Sequence, residues 1–244
     1  CQLLDSQHGL QKPKSMAKNY LVNIICFFVN RIISVIRQVF FHSGAKFWEQ
    51  RYSSGGNSGE GSYGRLAEFK AEVVNKFVKE NGVQSVIEFG CGDGNQLEFA
   101  HYPAYVGCDI SKTAVAVCQE KFINDASKIF FLYNPCYFDD IAKQYKADLA
   151  LSLDVIYHLV EDDLYIAYLK HLFGSGLKYV IIYSSDKDDS RGFYDKQVRH
   201  RNFTKDVARL FPNWELREKI KNKYPLEKGS GQSSFSNFFI FQAS

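Results

Sequence analysis

Apolar residues recur at helical spacing between Arg65 and Gly82, and short apolar runs follow at regular intervals. The helical positions are Leu66, Phe69, Val73, Val74, Phe77 and Val78. The later runs predict strands near 83–89, 104–109, 129–133, 147–153 and 178–184. Helical patterns occupy the intervals around 111–122, 138–145 and 161–173. This alternation predicts a three-layer α/β fold, in which helices cover both faces of a mostly parallel sheet.

The C-terminal part departs from this alternation. Trp214–Ile220 and Phe235–Phe241 have the pattern of two successive strands, and the turn-rich stretch Asn222–Ser234 separates them. Because no helix lies between them to return the chain, we expect the two strands to pair as an antiparallel hairpin at the edge of the sheet.

The N-terminal part has a different pattern. Residues 1–20 are polar, whereas residues 21–41 are largely apolar, contain no acid and gather most of their polar side chains on one side of a helical wheel. Such a basic amphipathic helix can lie in a membrane interface, or it can pack on protein. A bilayer span is the third alternative, but a central arginine such as Arg31 costs about 2.5–3.5 kcal/mol. We therefore expect a tail with an amphipathic helix at residues 1–44, possible peripheral membrane contact through residues 21–41, and one α/β domain at residues 45–244.

A glycine-rich segment precedes the first helical pattern. Residues 53–64 hold five glycines in twelve positions. The segment is either a flexible linker or a mobile lid over a binding site.

The composition narrows the function classes. The formal net charge of +3 over 244 residues is too small to indicate the concentrated basic face of a nucleic-acid-binding protein. The 6 cysteines include no C-x-x-C pair, which argues against a zinc site and favours a reducing, cytoplasmic compartment. The carboxylates near the predicted strand ends do not form a convincing ligand set, so we predict no metal.

The most specific chemical signal is Glu88-Phe89-Gly90-Cys91-Gly92-Asp93-Gly94, which ends the first predicted strand. Closely spaced glycines let the backbone approach a ligand because no Cβ intervenes. The dinucleotide pattern would require glycine where Asn95 stands. The Glu88 carboxylate would repel a pyrophosphate and suits a ligand with an ammonium, sulfonium or ribose group.

Further polar residues follow the next strands. Asp109 lies about twenty residues after the glycines, the distance at which an acid accepts ribose hydroxyls. Asn134 and Asp154 follow the third and fourth predicted strands. Ligands of doubly wound sheets bind at these carboxyl ends, so we expect the three side chains to lie near the glycine-rich turn.

The stretches Val86–Gly94, Tyr105–Ser111 and Ala147–Leu159 together resemble the motifs of class I S-adenosylmethionine-dependent methyltransferases. The resemblance covers roughly residues 45–241. It implies a Rossmann-like, seven-stranded, mostly parallel sheet with a reversed final strand, and S-adenosylmethionine as the methyl donor.

The resemblance also implies roles for individual residues. Glu88 should hold the ammonium group of the methionine moiety, Asp109 the ribose hydroxyls and Arg65 the methionine carboxylate. Other cofactor contacts are expected from Gly90, Cys91, Gly92, Ile110, Asn134, Leu153 and Asp154. Residues 47–52 and 61–65 resemble a segment that covers the cofactor.

The acceptor side is predicted at two histidines. A hydroxyl nucleophile benefits from a general base, and histidine is the usual one near neutral pH. His158 and His200 are both candidates for this catalytic role, although His158 could instead cap a helix and His200 could lie in a solvated basic turn. Arg199 and Arg201 could hold an anionic group of the substrate, such as a phosphate or a sugar acid.

The predicted reaction is O-methylation of a small molecule or glycan. Amino-methylating enzymes often carry Asn/Asp-Pro-Pro-Tyr where this chain has Asp154-Val155-Ile156-Tyr157. A non-catalytic cofactor-binding scaffold and a Rossmann-type nucleotide-sugar or dinucleotide enzyme are the alternatives, and Glu88 and Asn95 argue against the second. The sequence identifies neither the acceptor nor the oligomeric state.

Overall fold

The computed structural model describes residues 44–135, 138, 145–188, 197–226 and 232–244. The amphipathic helix predicted at 21–41 and most of the helix predicted at 138–145 lie outside the described residues. The division between residues 1–44 and 45–244 therefore stays a prediction. No helix among the described residues has both the length and the apolar character needed to cross a bilayer.

Seven strands form one sheet in the order β3-β2-β1-β4-β5-β7-β6. Their bounds are β1 Val86–Phe89, β2 Tyr105–Asp109, β3 Lys128–Leu132, β4 Ala147–Leu153, β5 Gly176–Ser184, β6 Trp214–Ile220 and β7 Asn237–Ala243. Neighbouring strands from β3 to β5 are parallel, whereas β7 lies antiparallel between β5 and β6. The predicted seven-stranded sheet with a reversed final strand is confirmed.

Helices flank the sheet. Their bounds are α1 44–53, α2 Gly64–Glu80, α3 Lys112–Lys121, α4 Asp162–Ser175 and α5 Phe203–Leu210. Single 3-10 turns occur at Glu60–Ser62, Gln96–Phe99 and Ile156–His158. Side chains cap two of the helices: Ser111 Oγ accepts the Ala114 amide at the start of α3, and the Asn202 side chain accepts the Lys205 amide at the start of α5.

The apolar core lies in two layers, one on each face of the sheet. On one face, Val74 and Phe77 of α2 belong to the same buried cluster as Leu149 of β4. On the other, Leu169 of α4 and Val207 of α5 are buried in a cluster with alternate residues of the strands. The central strands β1 and β4 are buried along their whole length, as expected when helices cover both faces.

The pattern of apolar positions located every strand but missed two helices. Neither α1 nor α5 is among the predicted helices, since residues 47–52 resemble a segment that covers the cofactor and His200 has the surroundings of a basic turn. A signal for α5 was present: Asn202 is a good N-cap residue, and an amphipathic stretch follows it.

Candidate functional site

A cavity of about 390 Å³ opens at the carboxyl ends of β1, β2 and β4, beneath α1 and the glycine-rich segment that follows it. This volume lies within the ~300–1,000 Å³ typical of small-molecule sites. Of the residues predicted to contact a cofactor, the cavity lining contains Glu88, Gly90, Cys91, Gly92, Asp109, Ile110, Leu153 and Asp154. The structure therefore brings together side chains from three separate strand ends, as doubly wound sheets do.

The glycine-rich turn has two positions, 90 and 92, that accept only glycine. Gly90 and Gly92 have φ angles of 84° and 57°, in the left-handed region. A Cβ on Gly90 would lie 2.5 Å from Val155 Cγ2, and one on Gly92 would lie 2.2 Å from Ser58 Oγ. The turn thus brings backbone into contact with the segment that covers the cavity.

The Glu88 side chain is buried and lies in the cavity lining. Tyr105 donates a hydrogen bond to Glu88 Oε2 at 2.7 Å. Burial raises the pKa of Glu88 to about 7, although the Tyr105 hydroxyl and the nearby Lys70 ammonium oppose the rise. A carboxylate held in this way attracts a cationic group strongly, because little water screens it.

Asp109 ends β2 and faces the same cavity. Its Oδ2 accepts the Gly92 amide at 3.0 Å and its Oδ1 accepts the Ser111 amide at 2.9 Å. Burial raises its pKa to about 6, while these backbone hydrogen bonds act in the opposite direction. The two bonds fix the carboxylate beside the glycine-rich turn.

Two anchors hold the cover of the cavity. Glu49 of α1 accepts hydrogen bonds from Ser111 Oγ and Thr113 Oγ1, both at 2.7 Å. Asp93 Oδ2 accepts the Ser58 amide at 2.9 Å and the Tyr63 hydroxyl at 2.8 Å. The glycine-rich segment therefore folds over the cavity and contacts the turn at Gly92, as expected of a lid rather than a free linker.

Lys70 belongs to the site although it is not among the residues predicted from the sequence. It lies on α2, lines the cavity and has only 1% of its side chain exposed. Its Nζ donates to Asp154 Oδ2 at 2.9 Å. Tyr157 and Ser236 donate to the other Asp154 oxygen, each at 3.1 Å. Asp154 itself has a φ of 61°, so its carboxylate is held by both backbone conformation and partners.

The structure places the two histidines that were predicted as general bases differently with respect to the cavity. His158 lines the cavity, and its Nδ1 lies 2.9 Å from the Gln197 carbonyl oxygen. A carbonyl only accepts, so Nδ1 carries the proton and Nε2 of the neutral ring carries the lone pair. His200 is not part of the lining, and its Nδ1 lies 2.6 Å from Ser185 Oγ.

Arg65 and Asn134 also lie outside the cavity lining. The Arg65 guanidinium donates to the Gln232 carbonyl oxygen at 2.8 Å and stacks over the Tyr224 ring, with Cζ 4.5 Å from its centroid. The structure therefore does not bring Arg65 to the position expected for a carboxylate partner. Asn134 is half-buried between Tyr133 and Pro135, which do line the cavity.

Arg199 and Arg201 are bound within the protein. Both contact Asp162 Oδ1, at 3.0 Å and 3.1 Å respectively, and both donate to the Val160 carbonyl oxygen. Arg201 is buried and also lies over the Tyr165 ring. Both guanidinium groups thus bind within the protein at the start of α4, and neither arginine is part of the cavity lining, so their role at a substrate anion stays a prediction.

Among the described residues, no group of three or more His, Cys, Asp or Glu side chains is arranged to hold a metal ion. No family model matches the chain, and no curated protein matches it in sequence.

Solved methyltransferase structures have the same fold. Magnesium protoporphyrin IX methyltransferase from Synechocystis PCC 6803, with bound S-adenosylhomocysteine, is 17% identical with a TM-score of 0.56, over 86% of this chain and 99% of its own. The N-methyltransferase NodS from Bradyrhizobium japonicum, in complex with S-adenosylhomocysteine, is 12% identical with a TM-score of 0.57, over 73% and 87%. The methyltransferase domain of a bacterial Hen1 is 18% identical with a TM-score of 0.55, over 73% and 99%. The chain therefore has the fold of class I S-adenosylmethionine-dependent methyltransferases.

Proposed function

We propose that this protein is an S-adenosylmethionine-dependent methyltransferase that methylates a hydroxyl group of a small molecule or glycan. The observation that carries the proposal is the convergence of Glu88, the Gly90–Gly92 turn and Asp109 in one cavity. Structural neighbours crystallised with S-adenosylmethionine or S-adenosylhomocysteine support it at the level of the fold.

The residues present fit this cofactor. Glu88 faces the cavity as a buried carboxylate and suits the ammonium group of the methionine moiety. Asp109, fixed by the Gly92 and Ser111 amides, suits the two ribose hydroxyls. Gly90 and Gly92 line the cavity without a side chain, because Val155 and Ser58 leave no space for a Cβ, so it is their backbone that meets a ligand.

Lys70 replaces Arg65 as the partner we assign to the methionine carboxylate. It is buried, its positive charge acts to lower the pKa of Glu88, and it lines the cavity from α2. An ammonium group shared between Asp154 and a bound carboxylate would use two of its three donors.

His158 is the residue we assign as general base. Its Nδ1 donates to the Gln197 carbonyl oxygen, so Nε2 is the ring atom that would accept the proton of an acceptor hydroxyl. The bound cofactor supplies a methyl group on a positively charged sulfur. The protein has to orient the hydroxyl behind that methyl group and exclude water, and α1 and residues 58–62 cover the cavity.

Titration calorimetry tests the cofactor assignment. We expect S-adenosylhomocysteine to bind and NAD not to bind. Asp109→Asn should weaken binding by about tenfold or more, because charge-assisted hydrogen bonds contribute ~1.5–3 kcal/mol. Asp163→Asn, an exposed carboxylate outside the cavity lining, is the matched control and should bind normally. NAD binding, or equal affinity in the Asp109 and Asp163 variants, would exclude the assignment.

Turnover separates an enzyme from a scaffold. Formation of S-adenosylhomocysteine from S-adenosylmethionine should depend on an added hydroxyl acceptor. Tight cofactor binding without transfer to any of a panel of phenols, sugars and carboxylic acids would favour the non-catalytic alternative.

A further inference from the structure

Four rings form a continuous aromatic wall in the cavity: Trp48, His158, Tyr157 and Phe235. Trp48 and His158 have ring centroids 5.1 Å apart, His158 and Tyr157 4.5 Å, and Tyr157 and Phe235 4.9 Å. Because His158 is the base that we assign, this wall lies where the acceptor must bind. Rings of this kind pack against flat molecules, either an aromatic ring or the CH face of a sugar.

Carboxylates outnumber cations in the cavity lining. Among the residues that the structure describes, five residues with a carboxylate belong to the lining, against the two cations Arg51 and Lys70. The carboxylates are Glu60, Glu88, Asp109, Asp154 and Glu161. Lys70 is paired with Asp154, and Arg51 Nε donates to the Asn57 carbonyl oxygen at 2.6 Å. With every carboxylate counted as ionised, these described residues have a formal excess of three negative charges, which is more than a cofactor with a net charge of +1 would neutralise.

Arg199 and Arg201, the arginines that the sequence offered as partners of an anion, are bound outside the cavity lining. Arg199 and Arg201 both pair with Asp162. Among the described lining residues, an anionic acceptor would therefore meet more carboxylates than cations in a partly buried site, where water screens charges poorly.

Of the lining carboxylates, Glu161 is the one whose charge we expect to affect binding of the acceptor without affecting binding of the cofactor. It lies three residues after His158, lines the cavity and is half-buried. It precedes α4, but its side chain makes no capping hydrogen bond to the helix. A change of its charge should therefore leave α4 intact.

We propose that the acceptor is an uncharged hydroxyl compound with one flat ring face, and that the carboxylate-rich lining, Glu161 in particular, discriminates against anionic acceptors. The inference rests on the proposed function, since it concerns the acceptor side of the same cavity. It replaces the sugar acid or phosphate that the basic stretch Arg199–Arg201 suggested.

Two pairs of matched compounds test the inference. The phenolic pair is 4-methylcatechol and 3,4-dihydroxybenzoate, and the sugar pair is a methyl glucoside and the corresponding methyl glucuronide. Binding of each is measured by calorimetry to protein saturated with S-adenosylhomocysteine. We expect at least one neutral compound to bind and its anionic partner to bind about tenfold or more weakly. Whichever of the two pairs contains the neutral compound that binds shows whether the acceptor is a phenol or a sugar.

Variants identify the source of the discrimination. Glu161→Gln should reduce the ratio of neutral to anionic affinity by about fivefold. Asp163→Asn removes the same charge two residues further along, outside the lining, and should leave the ratio unchanged. Trp48→Leu should weaken binding of the neutral ring about tenfold, whereas Phe99→Leu, at an exposed ring outside the cavity, should not.

Equal or tighter binding of the anionic compound would overturn the inference. So would failure of both neutral compounds to bind, or an equal response of the ratio to the Glu161 and Asp163 changes. Each of these results leaves the cofactor assignment standing when S-adenosylhomocysteine still binds, so failure here is distinct from failure of the proposed function.

Discussion

Lys70 Nζ lies 2.9 Å from Asp154 Oδ2, and this ion pair joins α2 to the end of β4 beside the cavity. The Lys70 side chain is 1% exposed and that of Asp154 14%. A buried ion pair is seldom the most stable choice for a core, because desolvation of both charges opposes their attraction. Its position in the cavity lining suggests that the ammonium group is retained for a ligand.

The first prediction concerns that ligand. Lys70→Met should weaken S-adenosylhomocysteine binding about 10–100-fold, because it removes a charged donor worth ~1.5–3 kcal/mol to the carboxylate. Binding of 5′-methylthioadenosine, which lacks the amino-acid part, should hardly change. Arg65→Met is the control and should bind both ligands normally, since Arg65 lies outside the cavity lining. A larger effect in the Arg65 variant would restore the assignment made from the sequence.

The second prediction concerns the stability of the unliganded protein. Lys70→Met should lower the free energy of unfolding by about 2–4 kcal/mol, because it leaves the Asp154 charge without its cation. Addition of Asp154→Asn should recover part of the loss. Asparagine tolerates the left-handed φ of 61° and still accepts from Tyr157 and Ser236. Denaturant unfolding of both variants measures this, and a double variant no more stable than Lys70→Met would contradict it.

The third prediction follows from Glu88, whose pKa is raised by burial to about 7. The carboxylate form binds an ammonium group, so affinity for S-adenosylhomocysteine should fall as the pH is lowered through 7. Asp109, with a pKa of about 6, adds to the fall at lower pH. Calorimetry from about pH 8 to about pH 5 should show a weaker pH dependence in Glu88→Gln than in the wild type.

The stability of the unliganded protein should depend on pH in the opposite sense. A carboxyl group whose pKa rises from 4.5 to about 7 on folding contributes stability that is present below pH 4.5 and is lost as the pH rises through 7. The Tm difference between wild type and Glu88→Gln should therefore shrink or reverse over this range. Glu120→Gln, at an exposed position, should show no such trend.

Much of this site could be predicted from the sequence, because the relevant signals are local. The apolar run before Glu88 places the glycine-rich turn at a strand end, and a second strand places Asp109 next to it. Parallel strands bring such ends together regardless of the rest of the fold. Lys70 also had a local signal: it falls on the apolar stripe Leu66–Lys70–Val74–Phe77, where a lysine needs a buried partner.

The positions that the sequence could not assign depend on distant partners. The basic stretch Arg199–Arg201 has the pattern of an anion site until Asp162 is placed against it. His158 and His200 look alike as sequence signals, and only the folding of Gln197 and Ser185 against them separates a cavity residue from one outside the lining. Such contacts join residues between 15 and 39 positions apart, so they leave no periodic pattern in the sequence.

The fourth prediction compares two glycines that have nearly the same backbone conformation. Gly82 and Gly92 have φ angles of 60° and 57°, but a Cβ on Gly82 meets nothing within 4 Å, whereas one on Gly92 would lie 2.2 Å from Ser58 Oγ. Gly82→Ala should therefore cost about 1 kcal/mol of unfolding free energy from the backbone alone. Gly92→Ala should cost about 1–3 kcal/mol more and should also weaken S-adenosylhomocysteine binding. Equal effects would mean that Ser58 does not pack closely against the turn at Gly92.

The fifth prediction separates the two histidines by rate. On whichever hydroxyl acceptor is methylated, His158→Gln should lower kcat about 10²–10⁴-fold, because it removes a general base. His200→Gln should lower kcat far less, since His200 lies outside the cavity lining and contacts Ser185.

The affinity for S-adenosylhomocysteine and the pH dependence of kcat distinguish a general base from a residue that only supports the structure. Affinity for S-adenosylhomocysteine should be unchanged in both variants. The low-pH limb of the kcat profile should disappear only in His158→Gln, because a general base must be unprotonated to act. If both variants retained full activity, neither histidine would be the base, and proximity to the methyl donor alone would have to account for catalysis. If only His200→Gln lost activity, the acceptor would have to reach beyond Tyr157 and Phe235, the two cavity rings that lie between His158 and His200.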